Sequence, residues 1–550
     1  MRTPPGLRPS DFAAAVSQFE TAIGAEWVFT KEEDVDLYKD AFSPFLGEPE
    51  ERIASAALAP DSVEQVQQIV KIANQYKVPL YPISTGRNLG YGGSAPAYSG
   101  SVVLDLKRMN RILEVSEENA TALVEPGVSY FDLYRYISER KLKVWIDCPD
   151  PGWGSVMGNA LDRGGGYTRP QFRNHFDAHC GMEVVLPNGE LMRTGMGALP
   201  GAKTWQQYKT GFGPWVDGMF SQSNFGIVTK MGFWLMPEPE AYMTGVVLAA
   251  KRADLHELVR LMTLLENSGV TNGIPDSSSP LLGIVSIAEQ SRSLAVDVPG
   301  PPVDPELLAL RDKAEAGQHQ GLEAYGERHG LAYWSFTLKF YGPAKTIATQ
   351  WEYCKDKLSV IPGIKFQDGD SYRFPLPSEA HDSARLPEFG MPSLNLFSIG
   401  ARSSSMPSPW HGHMWFSPII PRSAAAIFEA NEVFAAAARE FDLPLLRFAL
   451  PAWYWERAAI FIFGFPVSTD VETNKKHRAA FYRVIQLAAE KGWGEYRTGP
   501  AYQDAVMNVY SYNNHALLRF HETIKDAVDP NGILSAGRYG IWPKHLREKR

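Results

Sequence analysis

The sequence is poor in cysteine, the residue that builds disulfide frameworks and many metal centres. It holds three cysteines in 550 residues, Cys148, Cys180 and Cys354, and they are widely separated. Their odd number and their spacing fit neither a disulfide network nor a zinc site. We expect Cys148 to be a small packed residue, and we predict no bound metal.

An excess of positive charge and a long apolar run are also missing. The 54 Lys and Arg residues against 62 Asp and Glu residues give a formal net charge of −8. Nucleic-acid binding needs a basic surface, so nucleic acid is excluded as a partner. No apolar run approaches the roughly 20 residues of a membrane span. The N-terminus has no hydrophobic signal segment and the C-terminus no targeting tripeptide, so we predict a soluble cytoplasmic protein that binds no membrane.

Apolar residues, by contrast, are plentiful. Hydrophobic residues make up 44% of the chain and aromatic residues 12%, which is enough to bury large cores. The length corresponds to roughly three to four domain-sized units. The chain is therefore compatible with a globular enzyme of several domains.

The most informative stretch is a glycine-rich loop at residues 82–96. It reads Pro-Ile-Ser-Thr-Gly-Arg-Asn-Leu-Gly-Tyr-Gly-Gly-Ser-Ala-Pro. Glycine permits positive φ and close backbone approach, and successive N–H groups in such a loop can form a nest for an anion. Arg87 and Asn88 add hydrogen-bond donors, and Tyr91 stands alone among the glycines. Taken by itself, the cluster fits a flexible turn as well as it fits a phosphate site.

The elements around the loop favour a nucleotide site. Apolar strands are predicted at residues 53–59 and 77–83, an amphipathic helix begins between them at Asp61 or Ser62, and a strand follows the loop at residues 101–106. A dinucleotide fingerprint would place G-x-G-x-x-G between a strand and a helix, and there is no such match here. A glycine loop between two strands therefore indicates another way of holding a pyrophosphate in an α+β nucleotide-binding domain.

A second glycine-rich stretch occupies residues 145–167. Two such loops can bind the two ends of one cofactor. Within the stretch, Asp150 is followed by Pro151 and Gly152, and this local chemistry is typical of a turn aspartate. The functional alternative for Asp150 depends on the wider pattern of motifs.

Beyond residue 240 the pattern changes to that of an antiparallel sheet with covering helices. Strands are predicted at residues 242–248 and 331–341, and helices at residues 256–265 and 345–358. Residues 298–305 read as a proline-rich connector. The segment from there to Gly330 is predicted to be a polar, exposed helix.

These motifs, in this order, resemble those of the vanillyl-alcohol oxidase family, which is the family of eugenol oxidase and of the p-cresol methylhydroxylase flavoprotein. The resemblance spans residues 53–543. It implies an α+β, two-domain vanillyl-alcohol-oxidase-type flavoprotein with a discontinuous FAD-binding domain and an antiparallel-sheet substrate (cap) domain. The implied boundaries are residues 1–239 for the FAD-binding domain, 240–490 for the cap domain, and 491–550 for a C-terminal segment that returns to the first.

The resemblance implies FAD as cofactor and draws its site from both glycine-rich stretches and from residues 221–230 and 529–538. The residues implied to bind FAD are Ser84, Thr85, Gly86, Arg87, Asn88, Leu89, Gly90, Pro149, Gly154, Ser155, Asn159, Gly164, Gly226, Ile227, His413 and Arg538.

His411 and His413 lie in the stretch His-Gly-His-Met-Trp-Phe-Ser-Pro-Ile. A metal site or a packed histidine pair are the readings from the residues alone, and no acidic or cysteine cluster stands nearby to complete a metal site. The family's covalent flavin histidine precedes an aromatic Phe-Ser-Pro run, so His413 is implied to carry an 8α-histidyl link, with His411 as the competitor. The family's auxiliary histidine belongs near residues 40–44, which read Asp-Ala-Phe-Ser-Pro.

Tyr496 and Arg497 resemble the family's Tyr-Arg pair, although from the residues alone they fit an exposed strand end. The resemblance implies that these two residues and Tyr91 hold the substrate as a phenolate. A phenol ionises near pH 10 in water, and a fixed positive charge with hydroxyl donors favours the phenolate. Asp150 is implied to act beside flavin N5. Tyr167 and Trp415 are implied to contact the substrate.

The implied function is FAD-dependent oxidation of para-substituted phenols such as vanillyl alcohol, eugenol and 4-alkylphenols. Hydride would leave the α-carbon for flavin N5, giving a p-quinone methide, and O2 would be reduced to H2O2. A c-type cytochrome as acceptor is the nearest alternative, which the short stretch at residues 201–213 favours, and the same short stretch implies a homodimer. A 2-hydroxy-acid or sugar oxidase and a non-enzymatic nucleotide-binding protein are more distant alternatives.

Overall fold

The glycine-rich loop joins two neighbouring strands that run in the same direction. In the computed structural model, Leu80–Ile83 pairs in parallel with Val102–Asp105, which also pairs in parallel with Ala57–Leu58. Val28–Phe29 completes this sheet on the far side of Ala57–Leu58. Parallel neighbours need a crossover, which is usually a helix. Here the crossover is the loop itself, which begins at the carboxyl end of Leu80–Ile83.

The structure describes residues 1–88, 90–149, 151–281, 304–315, 317–381, 385–394, 410–441, 443, 453–455 and 457–547. The α-helices within these ranges are Pro9–Ile23, Glu32–Val35, Val63–Tyr76, Tyr130–Glu139, Val156–Leu161, Pro170–Arg173, Leu255–Asn267, Pro305–Glu315, Gln320–His329, Ala344–Leu358, Ala424–Glu440, Val471–Glu490, Gln503–Val509, Tyr512–Val528 and Lys544–Arg547. Strands outside the first sheet are Ile112–Ser116, Thr121–Val124, Val144–Trp145, His179–Val185, Leu191–Arg193, Ile227–Trp234, Met236–Pro237, Ala241–Ala249, Asp276–Ser278, Trp334–Gly342, Lys365–Arg373, Trp410–Phe416, Ile419–Pro421, Trp453–Trp455, Ala458–Ile460 and Phe463–Ser468.

The helix before the glycine-rich loop forms as the sequence predicts. Ser62 caps Val63–Tyr76 by accepting a hydrogen bond from the Gln65 N–H at 3.4 Å. The Gln65 side chain accepts from the Asp61 N–H at 2.9 Å. The apolar residues of this helix, at helical spacing, are buried against the first sheet and the helix Pro9–Ile23. The predicted strand at residues 53–59 is shorter than expected, because only Ala57–Leu58 pairs.

A second sheet is antiparallel and follows the order Ile112–Ser116, Thr121–Val124, Ile227–Trp234, His179–Val185, Leu191–Arg193. Its last two strands form a hairpin whose turn is closed by a hydrogen bond from the Gly189 N–H to the Leu186 carbonyl at 2.8 Å. All three cysteines of the chain are buried, and Cys148 packs into the core behind this sheet, as expected of a small packed residue.

The predicted antiparallel sheet after residue 240 is present. Its order is Asp276–Ser278, Trp334–Gly342, Ala241–Ala249, Lys365–Arg373, and the helices Leu255–Asn267 and Ala344–Leu358 pack on it. The prediction of one exposed polar helix before Gly330 is wrong. The chain forms two helices there, and they bury Leu307, Leu322 and Tyr325. The sequence pattern did not predict this burial, because these apolar residues are spaced too far apart to mark one helical face. The predicted connector lies mostly outside the described residues.

The strand Trp410–Phe416 carries His413 and belongs to a two-stranded sheet. Trp410–Phe416 pairs with Phe463–Ser468, and the register places His413 opposite Pro466. Alternate side chains of a strand point to opposite faces. Met414 and Phe416 therefore enter the apolar core with helices Ala424–Glu440 and Val471–Glu490, while His413 and Trp415 face the other side.

The C-terminal segment returns to the first sheet. The Leu80 N–H donates to the Ile533 carbonyl and the Ser535 N–H to the Leu80 carbonyl, each at 2.7 Å. The fully buried Lys525 locks this return, because its ammonium donates to the carbonyls of Asn224 and Leu534 at 2.7 Å and pairs with Asp529 at 2.8 Å. No helix in the described ranges has the length and apolar character needed to cross a membrane.

Replacing Lys525 tests how strongly this return is held. Lys525→Met should lower the free energy of unfolding by about 3–5 kcal/mol, because it leaves the Asp529 carboxylate buried without its cation. Urea unfolding followed by tryptophan fluorescence measures the change. Lys491→Met is the control, since Lys491 pairs with Glu429 on the surface, where solvent screens the pair and its loss changes stability little. Equal losses in both variants would contradict the assignment.

Candidate active site

The glycine-rich loop opens into a cavity of about 680 Å³ that is lined by residues distant from one another in sequence. Its wall combines the two glycine-rich stretches, residues 222–228, the strand carrying His413, the Tyr496–Arg497 pair and residues 535–539. The predicted site residues that line it are Ser84, Thr85, Gly86, Arg87, Asn88, Tyr91, Pro149, Gly154, Ser155, Asn159, Tyr167, Gly226, Ile227, His413, Trp415, Tyr496, Arg497 and Arg538.

Four predicted residues are not among those that line the cavity. Leu89 and Asp150 lie outside the described residues. Gly164 packs against Asn159, and Gly90 sits behind Trp415. Gly90 has a φ of +85°, and a side chain there would overlap the Trp415 ring, while its carbonyl accepts the Trp415 N–H at 2.9 Å. Gly90 therefore allows the loop and the His413 strand to touch.

The centre of the candidate site is a buried cation between two phenols. The Arg497 guanidinium carbon lies 3.7 Å from the centre of the Tyr91 ring and 5.6 Å from that of Tyr496. Burial lowers the pKa of Arg497, but the phenols of Tyr496 and Tyr91 with the Asp162 carboxylate together raise that pKa above its ordinary value. The guanidinium therefore stays charged, and its Nε is a buried donor with no hydrogen-bond partner among the described residues.

Ser417 orients the Tyr91 phenol. The two hydroxyl oxygens are 2.7 Å apart, and both residues are buried. Burial, with the nearby Tyr496, raises the pKa of Tyr91 well above 10, so this phenol stays protonated as a donor. Behind Ser417, the buried Glu495 carboxyl accepts the Ser417 N–H at 3.2 Å, and burial raises its pKa as well. Sequence reasoning missed Ser417, although it stands in the Phe-Ser-Pro run that follows His413.

The pair of residues 496–497 is not a strand end. The chain bends at Tyr496, whose N–H donates to the Ser417 carbonyl at 3.3 Å and whose carbonyl accepts from the Gln222 side chain at 2.9 Å. These bonds turn both side chains toward the cavity, which adjacent residues of a regular strand do not achieve.

Asp162 connects four cavity residues and was also missed. Its carboxylate accepts hydrogen bonds from Asn88 and Tyr539 and from Arg538 at 3.1 Å, and its carbonyl faces Arg497 at 3.5 Å. Burial raises the pKa of Asp162 despite the two arginines. Its partners are 74 to 377 residues away in sequence, so no local pattern marks it.

His413 is packed between aromatic rings. Its ring centre lies 4.3 Å from that of Trp415 and 5.0 Å from that of Phe42. Phe42 belongs to the stretch in which the family's auxiliary histidine was expected. Of the described residues, the only group able to hold a metal ion is the exposed Asp304, Glu306 and His329, which does not include His413.

The backbone of Tyr167 is hydrogen-bonded to a polar network, and its ring contacts an arginine. Asp147 accepts the Tyr167 N–H at 3.0 Å and lies 3.6 Å from His175. On the other side, the guanidinium carbon of Arg385 lies 4.3 Å from the centre of the Tyr167 ring. Arg385 lines the cavity and is a third residue that the sequence did not reveal.

The cavity suits FAD in its shape and its donors. Gly154 lines the cavity, and a side chain at Gly154 would meet no atom within 4 Å, so this wall leaves open space beside its backbone. Hydroxyl donors at Ser84 and Thr85 and the cation of Arg87 match a pyrophosphate. These residues and the loop backbone would hold the cofactor.

Residues 54–195 match the FAD binding domain family. Over 549 residues the chain is 33% identical to the 4-cresol dehydrogenase [hydroxylating] flavoprotein subunit of Pseudomonas putida, covering 98% of this chain and 97% of that protein. Among solved structures, 4-ethylphenol oxidase from Gulosibacter chungangensis in complex with isoeugenol matches with a TM-score of 0.82 and 34% identity, over 99% of this chain and 100% of that one. The structure of p-cresol methylhydroxylase with substrate bound matches with a TM-score of 0.81 and 31% identity, over 98% and 99% of the two chains.

Both structural matches extend over the FAD-binding part and the antiparallel cap sheet alike, so the fold is the two-domain, α+β fold of these flavoproteins. The chain belongs to the vanillyl-alcohol oxidase family and is an FAD-dependent oxidoreductase.

Proposed function

We propose that the chain oxidises para-substituted phenols at the α-carbon, using FAD. The observation that carries the proposal is the Arg497 cation stacked on Tyr91, with the Tyr496 phenol beside it and all three lining one cavity. The phenolic compounds named for the related proteins above support the same substrate class.

The three residues would act on the substrate phenol by electrostatics. Arg497 carries a fixed charge and Tyr91 stays protonated at neutral pH, so these two groups and the Tyr496 hydroxyl together stabilise a bound phenolate and lower its pKa. A phenolate pushes electron density toward the para carbon, which makes loss of hydride from the α-carbon easier. Bound FAD would supply the hydride acceptor.

The remaining roles follow the same family pattern as proposals. Asp150 would balance the charge that develops beside the α-carbon. Loss of hydride would convert the substrate to a p-quinone methide, which then adds water or rearranges. Tyr167 and Trp415 would contact the substrate, since both line the cavity. His413 would carry the 8α-histidyl link, since it lies on the cavity wall and is held between Phe42 and Trp415.

The two candidate functions differ in their electron acceptor. An oxidase would pass electrons to O2, whereas a dehydrogenase would pass them to a c-type cytochrome. The name of the Pseudomonas relative describes a flavoprotein subunit, which supports a second protein as acceptor. We further propose residues 1–239 and 491–550 as the FAD-binding domain, residues 240–490 as the cap, and a homodimer as the assembly.

An anaerobic absorbance scan tests the function. Adding 4-ethylphenol or vanillyl alcohol to the purified holoprotein should bleach the flavin band, because the bound phenol donates hydride. Air is then admitted. Rapid recovery with peroxide formation identifies an oxidase, whereas slow recovery that added cytochrome c accelerates identifies a dehydrogenase. No bleaching by any para-alkylphenol would contradict the proposal.

Variants at the cation pair test the phenolate site. Arg497→Met should slow anaerobic flavin reduction by about 10²-fold or more, because the developing charge loses its buried partner. Tyr91→Phe should slow it by about tenfold, the effect of one hydrogen bond to a charged group. Stopped-flow absorbance measures both rates. Tyr98→Phe removes a hydroxyl just beyond the loop and outside the cavity lining, and this variant should be reduced at the wild-type rate. Wild-type rates in all three variants would overturn the assignment.

Acid precipitation tests the flavin link. His413→Ala should release yellow flavin into the supernatant, because the covalent bond to the imidazole is absent, whereas the wild type should retain its flavin in the pellet. His411→Ala is the matched control and should behave as the wild type. Release from His411→Ala with retention in His413→Ala would assign the link to the other histidine.

A further inference from the structure

The described residues that line the cavity include Arg87, Arg385, Arg497 and Arg538, and phenol oxidation alone does not require Arg385. Arg385 covers the Tyr167 ring, and its side chain is 37% exposed on a residue that lines the cavity. Its partners differ from those of Arg497, which contacts Tyr91, Tyr496 and the Asp162 carbonyl. The two cations therefore form two separate positive positions on one cavity wall.

The Arg385 guanidinium contacts the Tyr167 ring and two carboxylates. It reaches Asp276 at 3.2 Å and Glu388 at 3.5 Å. Lys339, which is 2% exposed, holds the same two carboxylates more closely, at 2.8 and 2.7 Å. The other Glu388 oxygen accepts the Tyr242 hydroxyl at 2.6 Å.

These two carboxylates thus neutralise mainly the buried Lys339. The four-residue cluster is electrically neutral as a whole, but its positive end is the one that reaches the cavity. A cation held in a partly closed, aromatic-lined cavity is stabilised strongly when a ligand anion meets it. A guanidinium presents a planar fork of donors that matches a carboxylate with two parallel hydrogen bonds.

We propose that Arg385 recognises a carboxylate on the para side chain of the substrate, so that the preferred substrates are 4-hydroxyphenyl-alkanoic acids rather than neutral 4-alkylphenols. The inference rests on the proposed function, since Arg497 must hold the phenolate end for Arg385 to meet the side chain. The Tyr167 ring contacts the guanidinium, while the Tyr167 N–H donates to Asp147.

Matched acid and amide substrates test the proposal. The pairs are 4-hydroxyphenylacetate with its amide and 3-(4-hydroxyphenyl)propanoate with its amide, which differ in charge and hardly in size. Anaerobic stopped-flow reduction of the wild-type holoprotein should favour the acid of at least one pair by about 10- to 100-fold in rate over dissociation constant, the effect of a charge-assisted hydrogen bond. A ratio near one in both pairs overturns the proposal.

Variants then assign the preference to Arg385. Arg385→Gln should bring the acid-to-amide ratio close to one, and Arg385→Lys should retain part of it, because a point charge replaces the fork. Arg373→Gln removes one positive charge from an exposed position in the same part of the chain and should leave the ratio unchanged. A wild-type ratio that persists in Arg385→Gln would place the carboxylate elsewhere.

Neutral 4-ethylphenol separates this inference from the function on which it rests. If 4-ethylphenol bleaches the wild-type flavin while acid and amide react equally, only the role of Arg385 is overturned. If no phenol of any charge bleaches it, the proposed function fails as well. Where Arg385→Gln does not fold, the wild-type ratio and Arg385→Lys decide, since a carboxylate site requires a several-fold drop in the Lys variant.

Discussion

The site depends on keeping one guanidinium charged inside the protein. Arg497 is enclosed by the rings of Tyr91 and Tyr496, and burial of a cation is costly unless dipoles and anions compensate it. The compensation comes from the Asp162 region, which Asn88, Arg538 and Tyr539 hold in place. Asn88 belongs to the glycine-rich loop, and Arg538 and Tyr539 belong to the C-terminal return. Both segments are therefore needed to keep Arg497 charged.

The C-terminal return contributes to this compensation of the Arg497 charge through Arg538. Arg538 reaches Asp162 only because residues 533–535 pair beside Leu80 and because Lys525 fixes the preceding helix. Arg538 also donates to the Tyr81 hydroxyl at 2.6 Å, which joins it to the strand that enters the glycine-rich loop. The glycine-rich loop and the Arg497 site are thus parts of one network.

The sequence predicted those parts of the site whose signal is local. The glycines, the aromatic run after His413 and the Tyr-Arg pair stand out in short windows, and nearly all of the residues predicted from them line the cavity. Ser417, Asp162 and Arg385 were missed because each acts through partners distant in sequence, such as Tyr91 for Ser417. The same distinction holds for the fold. Amphipathic helices were predicted correctly, whereas strand ends and the two helices before Gly330 were not, because tertiary pairing and burial decide them.

Phe42 lies where the family's auxiliary histidine was expected. A histidine there could both orient the His413 ring and exchange a proton with it, whereas Phe42 can only orient it. Its ring, 5.0 Å from that of His413, can hold the imidazole in one orientation, but it can neither accept nor donate a proton. If His413 carries the flavin, its proton must therefore leave by another route. Gly412 leaves room for this contact, because a side chain there would overlap the Phe42 ring. The aromatic packing around His413 thus fixes the orientation of its imidazole ring.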